Sequence, residues 1–284
     1  MPALETPPRA PAPVSAPPPP LPWHARVNAL TLTLLLFALA VAASWPALRG
    51  SERRIDYLAS LGRFLANFFP PDLSVVPSAI SALAETCQIA VMATLFAVVL
   101  SIPLAAAGAQ TIAPRWLVTS VRSLLNAIRT VPSLIWALLA VAVVGPYPLA
   151  GVIALTFYSI GYLAKFFSDA FESVDMNVPR ALRALGADAV QSFQYGLWPQ
   201  ARPLVWSHAL WMLEYNVRSA AIIGYVGAGG IGLQLHTYQE YYQWEKFAAV
   251  LLLIFFVVTV LDLAGERIRR QLTGPRRAAP PLPA

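Results

Sequence analysis

Charge is what this chain has least of. Asp, Glu, Lys and Arg make up 12% of its 284 residues, against 57% hydrophobic residues. Soluble domains carry about a quarter charged residues, so an ordinary soluble domain is excluded. Cysteine is nearly missing too. Cys87 stands alone, which allows no disulfide within the chain and no cysteine-based metal site. The three histidines, His24, His208 and His236, form no H-x-x-x-H pair. Neither G-x-S-x-G nor G-x-x-x-x-G-K-[ST] occurs, so there is no nucleophile elbow and no nucleotide P-loop. No catalytic residue, metal ligand or cofactor is therefore expected in the chain itself.

What is present is a series of apolar runs long enough to cross a bilayer. The first, 27–45, follows a leader, 1–22, that holds ten prolines and reads as a disordered tail. Ala40-Val41-Ala42 resembles a cleavage triplet, but the long leader and Arg26 point to an uncleaved anchor. Residues 49–69 are mixed, and "RFLANFF" within them suits the membrane surface. A second span is expected over about 81–107. No charge occurs from Thr130 to Ala164, and "GPYP" at 145–148 divides that stretch into spans of about 121–144 and 148–168. A fifth is expected over about 203–224 and a sixth over 244–264.

This is an all-α integral membrane protein with six expected transmembrane helices, so both termini share one side. Arg267, Arg269, Arg270, Arg276 and Arg277 close the chain, and Arg115, Arg180, Arg183 and Arg202 lie in the loops on the same side. Basic residues mark the cytoplasmic side, which places both termini there. Arg49, Arg53, Arg54 and Arg63 are exceptions in the first outer loop. The formal charge of +6 thus reads as membrane flanks facing lipid, not as a nucleic-acid arm. The expected parts are a Pro-rich cytoplasmic tail, 1–22; a first span with its periplasmic segment, 23–70; a membrane domain, 71–268; and a basic tail, 269–284.

Helix connections are usually short, yet 169–202 is long and patterned. Ala181, Leu182, Leu185, Val190, Phe193 and Leu197 can share one apolar side of two short helices bent at Gly186. Such helices can lie on lipid headgroups or dock a cytoplasmic partner. The spacing of Ala181, Gly186 and Pro199 resembles the E-A-A-x-x-x-G-x9-I-x-L-P loop of bacterial ABC importer permeases. Arg180, Leu182, Gly196 and Trp198 depart from it, standing at the family's Glu, second Ala, Ile and Leu. "ETCQIAVMATLFAVVLSIPLAA" (85–106), "IRTVPSLIWALLAV" (128–141) and "EYNVRSAAIIGYVGAGGIGLQL" (214–235) are similar to phosphonate-type permeases, from about residue 70 to the C-terminus. The resemblance implies that loop 171–202 couples to a separate ATPase carrying ATP and Mg, chiefly through Arg180, Ala181, Leu182, Leu185, Gly186 and Pro199. It also implies a periplasmic substrate-binding protein, a homodimer, an inner-membrane location and alternating access for phosphonate or a related oxyanion. Phosphate, phosphite or amino-acid import are alternatives. An ion-coupled transporter would show repeated halves, and an intramembrane enzyme would need a catalytic constellation; neither is seen.

Gly227, Gly229, Gly230 and Gly232 spell G-x-G-x-x-G. A dinucleotide fingerprint follows a strand, opens a helix and precedes an acidic residue by about twenty positions; this one follows a membrane span. Its glycines suit a tight turn with close helix packing, or a gate or hinge in a transport path. Glu214 and Arg218, four apart, suit a same-helix ion pair, with Arg218 facing the path. Arg129 is a second path candidate, or a side chain reaching to the surface. Arg122 and Lys165 read as surface anchors, and Glu85 as a cap on the second span.

Overall fold

The computed structural model describes residues 29–48 and 56–273, and every regular element among them is helical. The tail 1–22, Arg49, Arg53, Arg54, Arg276 and Arg277 lie outside the described residues. The chain divides into a unit ending at Ser60 and a larger one from Leu61 onward. In the first unit, α1 (Ala29–Ser44) exposes Leu32, Leu34, Leu35, Leu36 and Phe37. A helix apolar on all sides is a membrane span rather than a one-sided core helix, and the apolar stretch Leu30–Ala47 is long enough to cross. Across the junction runs α2 (Tyr57–Ala66). Its Phe64, with Phe68 just beyond, packs on Trp244.

The larger unit continues with α3 (Val76–Gly108), α4 (Arg115–Thr130), α5 (Ser133–Val144) and α6 (Pro148–Glu172). After α7 (Asn177–Ala184), α8 (Ala189–Gln191) widens into a π-helical stretch, Ser192–Leu197, and runs on as α9 (Trp198–Ile223). Then come α10 (Ile231–Glu240) and α11 (Trp244–Thr273). The centre is α6, whose Leu155, Leu163, Ala164, Phe167 and Phe171 are almost fully buried. Along α3 the buried residues are mostly small: Ala79, Ala82, Ala90, Ala93, Ala97, Ser101, Ala105 and Gly108. From Ala90 to Gly108 they recur every three or four positions, so they form one stripe. Small residues let helix backbones approach closely where apolar attraction between helices is weak.

Among the described residues, four helices are long and apolar enough to cross a membrane, or five if α4 and α5 together make one span. The expected single helix over 121–144 is in fact broken, with α4 and α5 bent by 86°. The cause is Pro132. It holds Val131 extended, at φ −90° and ψ 118°, because a residue before proline is pushed out of the helical region. The expected fifth span, α9, has 26 residues but is not apolar enough to qualify, since Arg202, Glu214 and Arg218 interrupt it.

Its polar groups are met inside the bundle. Asn216 is fully buried. Its Nδ2 donates to Thr94 Oγ1 at 2.9 Å and Ser159 Oγ at 3.0 Å, and Oδ1 accepts from Ser159 Oγ. One amide thus ties α9 to α3 and α6. Replacing Asn216 by Ala should lower stability by about 1–2 kcal/mol, the scale of a buried hydrogen-bond network in a membrane protein. Thermal unfolding of the purified protein checks this; an unchanged midpoint would mean the network holds nothing.

Candidate functional site

The glycine cluster forms a hairpin between two helices. After α9 the chain makes one 3₁₀ turn, Gly224–Val226. Gly227, Gly229 and Gly230 then take φ of +89°, +79° and +72°, a region L side chains avoid. This reverses the chain into α10, whose first N–H, from Ile231, donates to Thr86 Oγ1 at 2.8 Å. Gly232 packs so tightly that a Cβ there would overlap the Ala221 carbonyl oxygen and stand 2.8 Å from the Gly224 Cα. Among the described residues no strand precedes the motif. The geometry is that of a turn with close packing.

Glu85 does not cap the second span, because α3 begins at Val76. Its carboxylate instead lies against the hairpin, 2.8 Å from where a Cβ on Gly229 would stand. With Ser81, Pro146, Gly230 and Gln234 it borders an open cleft of about 510 Å³.

The expected Glu214–Arg218 pair is not formed. Glu214, buried on α9, pairs with Arg269 on α11, and Arg218 pairs with Asp262 at 3.0 Å. The two helices run antiparallel here, so two bridges satisfy four charges. A same-helix pair would have left Asp262 and Arg269 without these partners. Charged groups deep in such a domain are stable only when paired or wetted, and pairing across α9 and α11 meets that requirement for both acids.

Arg122 is engaged at the helix ends: its Nη2 pairs with Glu172 at 2.6 Å and its Nε donates to the Gly108 carbonyl at 2.9 Å. Glu172 also accepts from the Gln110 N–H. The C-terminal ends of α3 and α6 are thus tied to α4. Arg129 lies over the Tyr162 ring, 4.5 Å from its centroid, and Lys165 stands beside them at the same open cleft. Nearby, Tyr158 and Tyr215 share a hydrogen bond of 2.7 Å between hydroxyls. Tyr158 also packs on Tyr162, and Phe166 on His208 and Trp211, making an aromatic seam between α6 and α9.

Both helices of loop 171–202 are capped by their own sequence. At the end of α7, Gly186 takes φ +94°. Its N–H donates to the Arg183 carbonyl, and the Ala187 N–H to that of Leu182, a Schellman closure. Asp188 and Gln191 then cap each other at 2.7 and 3.0 Å, a capping box opening α8. The reversal splits the expected single apolar side in two. Leu182, Phe193 and Leu197 turn inward, while Arg180, Ala181, Leu185 and Val190 face out, Leu185 at 85% exposure. Pro199 is exposed at the start of α9.

The glycine standing at the motif's Ile position has a local cause. A Cβ on Gly196 would come within 2.9 Å of the Pro179 Cα and 3.1 Å of Leu182 Cδ1. Ser192 Oγ also donates to the Pro179 carbonyl at 3.0 Å. Gly196→Ile should therefore force α7 off the π-helical stretch and cost about 1–3 kcal/mol, as overpacking does. Limited proteolysis of this loop reads it: faster cleavage is expected, and wild-type resistance would contradict the contact.

Sequence reasoning missed Asn216, Glu172, Asp262 and Tyr162. The signal for Asp262 was its place in the last apolar run, seven residues from Arg269 and so two turns along one face. The others have no signal in one sequence, because the groups they meet (Thr94 and Ser159 for Asn216, Arg122 for Glu172, Arg129 for Tyr162) lie 33 or more positions away.

Residues 97–274 match the family model described as "Binding-protein-dependent transport system inner membrane component". The phosphite transport system permease protein PtxC of Stutzerimonas stutzeri is 38% identical over 76% of this chain and 79% of its own length. The phosphate-import permease protein PhnE of Mycolicibacterium smegmatis is 34% identical over 68% of this chain and 36% of its own length. Among solved structures, the MetNI methionine ABC transporter in an inward-facing conformation superposes with a TM-score of 0.62 at 26% identity, over 69% of this chain and 96% of that one. The chain belongs to the binding-protein-dependent transport system inner membrane components, as a multi-pass permease subunit of an ABC importer that works with an ATPase and a substrate-binding protein.

Proposed function

We propose that this permease carries phosphonate or a related phosphorus oxyanion inward by alternating access. The observation that carries the reading is the set of named relatives. PtxC is a phosphite permease, one PhnE is a phosphate-import permease, and PhnE2 of Escherichia coli is named for phosphonate transport. Their shared chemistry is a small tetrahedral anion with several acceptor oxygens, for which arginine is an apt contact. Arg129 and Arg218 are the candidates for the path, with Glu214 holding the base of α9 against α11.

In this reading α9 is the fifth of six spans, carried by its neighbours rather than by its own hydropathy, and both termini face the cytoplasm. Two copies form a homodimer. Loop 171–202 is then cytoplasmic, and its outward face, Arg180, Ala181, Leu185 and Val190, seats in the ATPase, where ATP and Mg are held. The Schellman closure at Gly186 fixes the angle of that face. The hairpin at Gly227, Gly229, Gly230 and Gly232 lies at the opposite, outer end and serves as a gate element, with Glu85 at its base. Import of an amino acid is the weaker reading, supported by the likeness in fold to amino-acid transporters such as the methionine transporter.

Uptake of labelled methylphosphonate into cells, with and without this chain and with its partners intact, tests the proposal. Uptake should require the chain and ATP and should survive collapse of the proton gradient. Competition by unlabelled phosphite and phosphate then ranks the anions. Chain-dependent uptake that vanishes with the gradient would sink the ATP-driven mechanism, and no chain-dependent uptake would remove the substrate.

A further inference from the structure

Five polar side chains line an open cleft of about 380 Å³ on the α4–α6 side of the bundle: Asn126, Arg129, Thr130, Tyr162 and Lys165. Two are cations and none is acidic. Neither Arg129 nor Lys165 has a carboxylate within salt-bridge distance among the described residues. Asp169, one turn beyond Lys165 on α6, forms no such pair with it. Six other charges of the spans are matched: Arg122 with Glu172, Glu214 with Arg269 and Arg218 with Asp262. Two cations facing one cleft with no acid in its lining are an unmet requirement for negative charge.

The cleft is also built to hold the guanidinium in place. A Cβ on Gly161 would come within 2.8 Å of Arg129 Cγ, so the glycine lets the end of α4 lie directly on α6. The Tyr162 ring then faces the guanidinium from the side, an attraction that leaves its outer N–H donors available. Thr130 Oγ1 is committed to the Ala127 carbonyl at 2.7 Å, so the donors are Arg129, Lys165 and the Asn126 amide. A planar fork beside an ammonium matches a group with three acceptor oxygens on one centre. At roughly 30 Å³ per water, the volume admits such a group with part of its hydration. At 1.5 Å per residue, Tyr162 and Lys165 lie roughly 15 and 10 Å along α6 from Glu172.

We infer that Arg129 and Lys165 form a binding site for a phosphoryl oxyanion within the membrane domain, with Tyr162 as a positioning residue for Arg129. The class of anion rests on the proposed substrate, but the same chemistry is offered by a lipid headgroup phosphate, and the two sources can be told apart. The permease–ATPase complex is purified without any binding protein and tested for retention of labelled methylphosphonate by equilibrium dialysis. It is tested in detergent, and in nanodiscs of phosphatidylcholine with or without phosphatidylglycerol.

Saturable binding is expected for the wild-type complex. Arg129→Gln and Lys165→Gln should each weaken it at least about tenfold, the loss of one charge-assisted contact, while Lys165→Arg should retain most of it. If phosphatidylglycerol displaces methylphosphonate, and co-purifies with the wild type but not with the two Gln variants, the occupant is the headgroup. Complexes that assemble, as judged by size-exclusion chromatography, yet bind both probes as the wild type does would overturn the site. So would a wild-type complex that binds neither probe. Cellular uptake separates this from the substrate reading. Loss of wild-type uptake alongside lipid retention that still depends on Arg129 and Lys165 would reject the substrate and keep the site. Unimpaired uptake in both Gln variants, with unaltered binding, would reject the site and keep the substrate.

Discussion

A helix carrying Glu214, Tyr215, Asn216 and Arg218 within five positions can stand in a membrane domain only if its neighbours meet each of those groups. That requirement organises much of this structure. Asn216 is met by Thr94 and Ser159, Tyr215 by Tyr158, Glu214 by Arg269 and Arg218 by Asp262. Those contacts fix α9 against α3, α6 and α11 together. They also explain why α9 fails as a span on composition alone: in a bundle, the share of polar groups a helix can carry depends on what surrounds it. The small-residue stripe of α3 serves the same end, since it brings α3 near enough for Thr94 to reach Asn216.

The apolar runs made most of the helices legible. Runs over 27–45, 81–107, 148–168 and 244–264 correspond to α1, α3, α6 and α11, and the division at "GPYP" marks where α6 begins. What failed were statements about partners. The i,i+4 rule for Glu214 and Arg218 is local, and it was outcompeted by charges on a helix 44 and 55 residues away. Pro132 was visible, but the uninterrupted hydropathy around it masked the 86° bend it imposes. Glu85 was placed at a helix start because the run of low charge begins there, whereas α3 itself begins at Val76.

The loop between α6 and α9 shows how far local pattern reaches. Gly186, Asp188 and Gln191 act on their own neighbours, so both caps follow from the sequence. The division of its apolar residues into an inward and an outward face follows from the reversal at Gly186, which a linear pattern cannot display. The substitution of Gly196 for a larger residue is explained only by Pro179 lying across it. The two caps hold Leu185 on the outward face between them.

The central claim is that α9 is held in the bundle by charge pairing to α11. Exchanging the charges tests it most directly, with Glu214→Arg, Arg269→Glu and the two together, read as the amount of folded permease in the membrane. Each single exchange sets like charges side by side and should sharply reduce the yield, while the double exchange should restore most of it. A double variant no better than either single one would contradict the pairing and the account of α9 built on it.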